Sequence, residues 1–541
     1  MDSIHKIRFV LLSMLFLIFN QIILPISAKT YSIEPKGNKT LSEESFEIFS
    51  EITSKSEVLW GEIADVDIEA LMGADTLNVI VENYHVELLS KYQNQDIDYH
   101  YVHYESLDNE AQAYVSILDG YVHVDLRTTI GYYQIISISS DEIAIVKYEP
   151  MIIDEEEYIG LSDNDNTGRE EDIETMSVVP KSTPTIRVLF LYTSSALAMM
   201  NSPQLLNMKM EAFRYINEAN LSFVNSNVNA HLQLAYLGPV NYNENSYTWN
   251  QVLNHFSTQG DGYIDEVHSL RNKYSADICV LMLDKEDYCG EAYAINATAS
   301  GAFCMIWPSF NYCGYRFSAI HEIGHLIGCR HNRKKDNSNT PYKYGHGFMN
   351  CDTITSALSW CTIMSYETSC SGYCPRILNW SNPYITYNGI ATGTTTYENN
   401  SRVWNERAST VASFRSRNNS LIYIYSDNNT QALYESIEAT SNITAGGGFE
   451  VQSGQTVEMY ASNEIRFMAN THIKNGAKFR ATTQIDNSTY PQFIKRKETA
   501  PNIVVEDIFD KNSPARKILR DGQVLIERNG RTYTATGAEV R

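Results

Sequence analysis

The sequence predicts a multi-domain α+β protein, and three observations carry that expectation. At 541 residues the chain is too long for one hydrophobic core. Its middle, from residue 184 to 417, alternates strand-like and helix-like runs, the pattern of an α/β layer. The stretches on either side read as short strands with turn dipeptides and recurring glycines, so both should be β-rich. An apolar content of 43% and an aromatic content of 11% suit packed cores rather than a disordered chain. The net charge of −23 argues against nucleic acid or an anionic membrane as a partner.

Lys6 and Arg8 precede an apolar run from Phe9 to Phe19, and Pro25-Ile26-Ser27-Ala28 follows. That is the layout of a secretory signal over residues 1–28, which predicts a secreted or cell-surface protein. Asn20 and Gln21 interrupt the run, and no other stretch approaches about 18 apolar residues, so no transmembrane anchor is expected. From 29 to 153 the pattern is β-rich after a helix over Ser42–Ser56. Tyr114–Ile117 and Tyr121–Val124 alternate around Asp119-Gly120, a hairpin signal, and Ile143–Tyr148 reads as a further strand.

Residues 154–183 shift in composition. Asp154-Glu155-Glu156-Glu157 and Arg169-Glu170-Glu171-Asp172 mark an exposed acidic linker. Two readings stand for it: a propeptide junction nicked at Arg169 or Lys181, or a permanent tether between domains.

The middle region opens with a strand over Ile186–Tyr192. A helix from Gln204 to Asn225, a strand His231–Leu237, a helix Tyr263–Tyr274 and a buried strand Ile278–Leu283 follow. Next comes His321-Glu322-Ile323-Gly324-His325-Leu326-Ile327-Gly328-Cys329-Arg330-His331, which fits H-E-x-x-H-x-x-G-x-x-H at every fixed position. Residues four apart share one face of a helix, so His321 and His325 present two imidazoles to one metal. Gly328 lets the helix end at a positive φ, and the returning chain brings His331 in as a third ligand. Three protein ligands leave a position open, which marks one catalytic Zn2+ rather than a structural one. Glu322 stands next to the first ligand as a general base for a water at that open position. A closing helix is expected over Asn400–Arg415.

Downstream, Cys361-Thr362-Ile363-Met364-Ser365-Tyr366 puts a methionine 33 residues beyond His331. The long histidine motif with such a methionine turn resembles the metzincin clan of zinc endopeptidases. The resemblance implies a metzincin-type α/β catalytic domain over 184–417, preceded by a β-rich propeptide-like domain and followed by small all-β modules. It makes Met364 an apolar floor beneath the zinc ligands. Met364-Ser365-Tyr366 matches the M-x-Y of the astacin and serralysin branches, which gives the Tyr366 phenol a place near the metal or the developing oxyanion. With Tyr344-Gly345-His346-Gly347-Phe348, Cys374-Pro375-Arg376 and Asn379-Trp380-Ser381-Asn382-Pro383, the region is most similar to reprolysin-like metzincins, among them the bacterial peptidyl-Asp metalloendopeptidases. Protein or peptide substrates cut beside acidic residues are thereby implied. Arg376 is then a basic group for the substrate pocket; its other reading is a surface arginine beside a disulfide.

Two positions depart from the reprolysin pattern. Asn332 stands where reprolysins carry Asp after the third histidine. Cys329 lies inside the motif, either tied to a neighbouring loop or left as an odd thiol. All nine cysteines fall between Cys279 and Cys374, which predicts several disulfides and at least one unpaired thiol, with Cys279 in its apolar run the candidate. No cysteine precedes Cys279, so the N-terminal segment holds no thiolate to cap a zinc. No EF-type loop is present, which leaves calcium open.

In the C-terminal part, Phe449-Glu450-Val451, Gly454 and Val457 recur as Thr471-His472-Ile473, Gly476 and Phe479, an offset of 22 residues. This predicts a stacked β module over 418–490, similar to those appended to secreted proteins of Bacteroidetes-type bacteria. Over 491–541, Gln523–Ile526 and Thr532–Thr534 around Asn529-Gly530 read as a hairpin. The alternative function is a zinc-stabilised adhesin or binding protein that acts through these C-terminal modules.

Overall fold

The computed structural model describes residues 29–149 apart from 38, 97 and 98, residues 183–483 apart from 201–203, 309–312, 314–316, 352–358, 371–373 and 425–430, and the backbone of strands between 515 and 540. The expected signal at 1–28, the linker up to residue 182 with Arg169 and Lys181, and the Asn529-Gly530 turn lie outside the described residues.

The N-terminal part is one nine-stranded sheet. Its strands are β1 (Thr30–Ile33), β2 (Val58–Asp65), β3 (Thr76–Val81), β4 (Tyr84–Gln95), β5 (Tyr99–Glu105), β6 (Gln112–Leu118), β7 (Tyr121–Thr128), β8 (Gly131–Ser137) and β9 (Glu142–Tyr148), in the order β1-β3-β4-β5-β6-β7-β8-β9-β2. Local turns make this meander. Asp119 (φ 49°) and Gly120 (φ 83°) both take the left-handed conformation that a two-residue hairpin loop needs between β6 and β7. Ser42 caps the helix Glu43–Thr53 by accepting from the Ser45 amide.

Alternation along the strands gives the sheet two unlike faces. Val102, Val115, Val124, Ile135 and Ile145 lie opposite one another and form an apolar core. The other face carries Tyr101, Ser116 and His123, and beside them His103, Tyr114 and Asp125. That polar and aromatic face packs on the rest of the chain. Tyr99 stacks on Phe213 with centroids 4.9 Å apart, Asn94 bonds Asn217 at 2.8 Å, and the Arg127 guanidinium lies 4.3 Å from the Phe317 ring centroid.

The central layer is α/β, so the chain as a whole is α+β. β10 (Thr185–Tyr192), β11 (His231–Pro239), β12 (Ile278–Met282), β13 (Gly290–Ala292) and β14 (Phe303–Ile306) run in the order β13-β14-β12-β10-β11. All neighbours are parallel except β13, which runs antiparallel along the edge. The inner strands are apolar on both faces, as a covered parallel sheet requires. The helices Gln204–Ser226 and Ser318–Ile327 pack on one face, with Phe213, Ile320 and Ile323 against Val188 and Val280. The helices Trp249–Ser257 and Glu266–Lys273 cover the other, with Val252, Phe256 and Val267 against Leu189 and Leu281. The first of this second pair was not expected from periodicity, although Thr248 and Gln251 form a capping box that announces it. The closing helix ends at Val411, short of Arg415.

Beyond it, Tyr434–Gly446 lies parallel to Asn418–Ile424, Thr456–Ala461 and Glu464–Phe467, and Thr456–Ala461 lies parallel to Lys478–Thr482. Leu421 faces Ile443, Tyr434 faces Thr456, Asn442 faces Glu464 and Thr456 faces Lys478, each pair 22 residues apart. The first of these long strands also joins β11 through Tyr236–Glu435 and Leu237–Tyr434. The central sheet therefore continues into the stack, and Ile437, Val457 and Ile465 share an apolar cluster with Leu189 and Leu191. Gln523–Arg528 and Arg531–Thr534 pair antiparallel.

Candidate metal centre

The motif helix, Ser318–Ile327, starts after Phe317 in the left-handed conformation and stops at Gly328. Gly328 sits at φ 126°, a conformation that strains any side chain, and its amide bonds the carbonyls of Gly324 and His325. The chain then turns back. The Arg330 amide bonds the Gly345 carbonyl at 2.7 Å, and the Gly347 amide bonds the Arg330 carbonyl at 3.0 Å. His346 Nδ1 lies 2.7 Å from the His331 carbonyl oxygen. This small bridge delivers His331 to the face already occupied by His321 and His325.

The three imidazoles converge. Nε2 of His331 lies 2.9 Å from Nε2 of His325 and 3.2 Å from Nε2 of His321, and the three side chains offer ligand atoms all within 4.8 Å of one another. A tetrahedral zinc with nitrogen ligands at 2.0–2.1 Å sets those nitrogens about 3.3 Å apart. The residues present fit such an ion. Their remaining ring nitrogens fit it as well: His321 Nδ1 meets the Ile363 carbonyl at 2.8 Å and His325 Nδ1 the Cys329 carbonyl at 2.9 Å. A carbonyl can only accept, so each Nδ1 holds the proton and each Nε2 presents a lone pair to the common point. All three histidines are buried.

Glu322 is buried beside them. The edge strand β13 presses on its side chain, because a Cβ on Gly290 would stand 2.6 Å from Glu322 Cγ. Glycine is required there to leave room for the carboxylate. Met364 lies under the helix in the same manner, since a Cβ on Gly324 would meet its Sδ at 2.8 Å and the Trp380 ring at 2.9 Å. Tyr366 packs edge-on against His331 with centroids 4.6 Å apart. Its amide donates to Asn332 Oδ1 at 3.0 Å. Asn332 thus supplies a side-chain oxygen to the methionine turn from the position where reprolysins carry Asp.

Arg376 is no surface residue. It is 3% exposed, its Nε donates to the Ser365 carbonyl at 2.8 Å, and its own carbonyl accepts from Arg127 of the N-terminal sheet at 3.3 Å. The disulfides are Cys289–Cys313 and Cys351–Cys370. Cys279 is unpaired as expected, but Cys304, Cys329, Cys361 and Cys374 are unpaired and buried too. No disulfide ties Cys329 to a loop; burial pushes its thiol pKa well up, and Asn400 hydrogen-bonds it. Burial raises Cys279 to about 11.

Sequence reasoning missed Gly290, named Trp380 only as part of a flanking motif without its place under the helix, and treated Gly324 as a free position of the motif. A glycine in mid-helix costs about 0.5–1 kcal/mol relative to alanine, so Gly324 was itself a readable sign of close approach. For Gly290 no such sign exists; its reason lies in a carboxylate 32 residues away.

The α/β layer, the converging histidines and the methionine turn beneath them define a metallopeptidase domain of metzincin type. Residues 182–381 match the model of metallo-peptidase family M12, Reprolysin_5. The chain is 39% identical over 259 residues to a peptidyl-Asp metalloendopeptidase of Stenotrophomonas maltophilia (strain K279a), which covers 48% of this chain and 58% of that protein. A peptidyl-Asp metalloendopeptidase of Xanthomonas campestris pv. campestris is 39% identical over 232 residues, 43% of this chain and 52% of that protein. One from Pseudomonas fragi is 32% identical over 198 residues, 37% of this chain and 100% of that protein. The chain spans a little over half the length of the first two. It belongs to metallo-peptidase family M12. Members of this family use zinc, and the histidine triad here can hold a metal ion.

Proposed function

We propose that this chain is a zinc endopeptidase, exported from the cell, that hydrolyses peptide bonds with a preference for acidic residues. The observation that carries the reading is the meeting of three buried Nε2 atoms at the spacing a tetrahedral zinc requires. His321, His325 and His331 would hold the ion. When bound, zinc supplies a Lewis acid that lowers the pKa of water to about 7 and polarises a carbonyl.

Glu322 takes the proton from the attacking water on a carboxylate oxygen and passes it to the nitrogen of the leaving amine. Tyr366 donates its phenol proton in a hydrogen bond to the substrate oxygen as that oxygen gains charge. Met364, seated against Gly324, keeps the motif helix at a fixed height. The open edge of β13 lies against Glu322, and an extended peptide pairing there would bring a scissile bond to the carboxylate. Substrate is therefore a peptide in extended form.

Latency and specificity are part of the proposal. Arg127 touches both Phe317, at the start of the motif helix, and Arg376, behind the methionine turn, which supports a role for the N-terminal sheet as a cover released by cutting within 154–183. The relatives are named for cleavage beside aspartate, and Arg376 is the basic group nearest the turn in sequence. R376A should lose the acidic preference; an unchanged cut-site profile removes Arg376 from that role.

The deciding experiment is cleavage of a peptide library by the full chain nicked in its linker, beside E322Q, with zinc measured in both. The expected result is one zinc per chain in each and a rate for E322Q lower by about 10²–10⁴-fold. Undiminished cleavage by E322Q overturns the role of Glu322, and absence of zinc from both overturns the reading.

A further inference from the structure

Two disulfides leave five of the nine cysteines as thiols, all buried. Three of the five stand apart from one another. Cys279 and Cys304 lie on neighbouring strands but belong to the apolar clusters on opposite faces of the sheet, and Cys329 is held by Asn400. Cys361 and Cys374 differ. Cys361 Sγ lies 3.1 Å from the carbonyl oxygen of Cys374, and the two thiols are themselves in hydrogen-bond contact. Their segments are also laced together by the backbone. The Cys361 amide bonds the Pro375 carbonyl at 3.0 Å, the Ile377 amide bonds the Cys361 carbonyl at 2.8 Å, and Cys361 bridges Arg376 in parallel register. The residue directly opposite Cys361 in this bridge is Arg376, two positions beyond Cys374, so it is the contact of Cys361 Sγ with Cys374 that brings the two cysteines within reach of one another.

We propose that Cys361 and Cys374 form a third disulfide that closes the methionine turn. The surroundings that oxidise Cys289–Cys313 and Cys351–Cys370 supply the oxidant, an external disulfide. The Cys361 thiolate attacks one sulfur of that disulfide and releases a thiolate, which leaves Cys361 in a mixed disulfide. The Cys374 thiolate then attacks Cys361 Sγ and displaces the second thiolate of the donor. Two cysteine thiols lose two protons and two electrons, and the donor leaves as two thiols. The step takes place while the chain folds, because both sulfurs are inaccessible afterwards.

The crosslink has a particular place. Cys351–Cys370 and Cys361–Cys374 interleave along the chain, so Met364 and Tyr366 lie inside both covalent loops. The segment that carries the floor of the metal site would then be closed on itself by two covalent loops, which restrict the shapes it can take without tying it to the motif helix. This inference does not depend on the proposed function, since it concerns only the state of two sulfurs.

The test uses the full chain, expressed for export and purified without reductant. It is unfolded in the presence of an alkylating reagent, and the blocked thiols are counted by intact mass. Three alkylated cysteines, Cys279, Cys304 and Cys329, are expected. Chymotryptic cleavage after Trp360, Tyr366 and Tyr373 separates all four cysteines of the turn, so a peptide joining Cys361 to Cys374 identifies the bond. Alkylation of five cysteines with Cys361 and Cys374 among them overturns the proposal. A peptide joining either cysteine to Cys351 or Cys370 overturns it equally.

Discussion

Two groups of buried histidines differ in a way that separates a site from a core. His321, His325 and His331 converge, with Nδ1 of the first two held by backbone carbonyls and the Nε2 atoms turned to one point. His100, His103 and His123 of the N-terminal sheet are about as deeply buried, yet they are spread over two strands and both faces of the sheet. Among the described residues, His100 and His103 have no hydrogen-bond partner for either ring nitrogen. Burial lowers the pKa of all three, taking His103 to about 3 with help from Arg127 and Lys91. Burial is common to both groups. What distinguishes the triad is orientation, because carbonyl acceptors fix which nitrogen keeps its proton.

The largest effect that can break this comparison is the loss of metal. H325A should lose zinc and all measurable turnover, whereas H103F should keep its zinc, with metal content per chain read by mass spectrometry. Zinc loss from H103F would show that the two groups are coupled after all.

Next in size is the response to acid. An unfolded histidine binds a proton near pH 6.5, while His103 in the folded sheet resists protonation until about pH 3. Acidification therefore favours the unfolded state, and the stability present above pH 6.5 is lost as the pH falls towards 3. For His103 alone the loss is on the order of 4 kcal/mol. Denaturant melts of the N-terminal sheet between pH 7 and pH 4 should show that slope, and H103F should flatten it. An equal slope in the variant would assign the acid response to other groups.

The smallest effect sharpens the metal side. G290A places a methyl group against Glu322, at a cost of about 1–3 kcal/mol from overpacking. It should slow cleavage while zinc stays bound, since the intruding atom meets the carboxylate and no ligand. Unchanged kinetics would mean that the edge strand shifts to make room.

Much of this was legible because it is written in spacing. The histidine intervals, the Asp119-Gly120 turn and the 22-residue offset are all local periods, and each has a direct structural counterpart. What stayed hidden joins residues distant in the chain. Asn332 could be seen only as a departure from a pattern, until its side chain met the Tyr366 amide. Arg376 had a surface reading because nothing near it in sequence reveals that Ser365 and Arg127 enclose it. Cysteine parity required one free thiol and was silent about partners, which depend on which strands become neighbours. The boundary expected at residue 417 likewise gave no hint that Tyr434 and Glu435 extend the central sheet.

That extension makes the C-terminal stack a ruler with one end fixed. Its first long strand is anchored to β11, and each further rung repeats the same 22-residue register. Inserting or deleting a whole rung would leave every ladder below it intact and move whatever follows by about 4.8 Å. The number of rungs therefore sets how far the last strands of the stack stand from the metal centre, while the centre itself stays as it is.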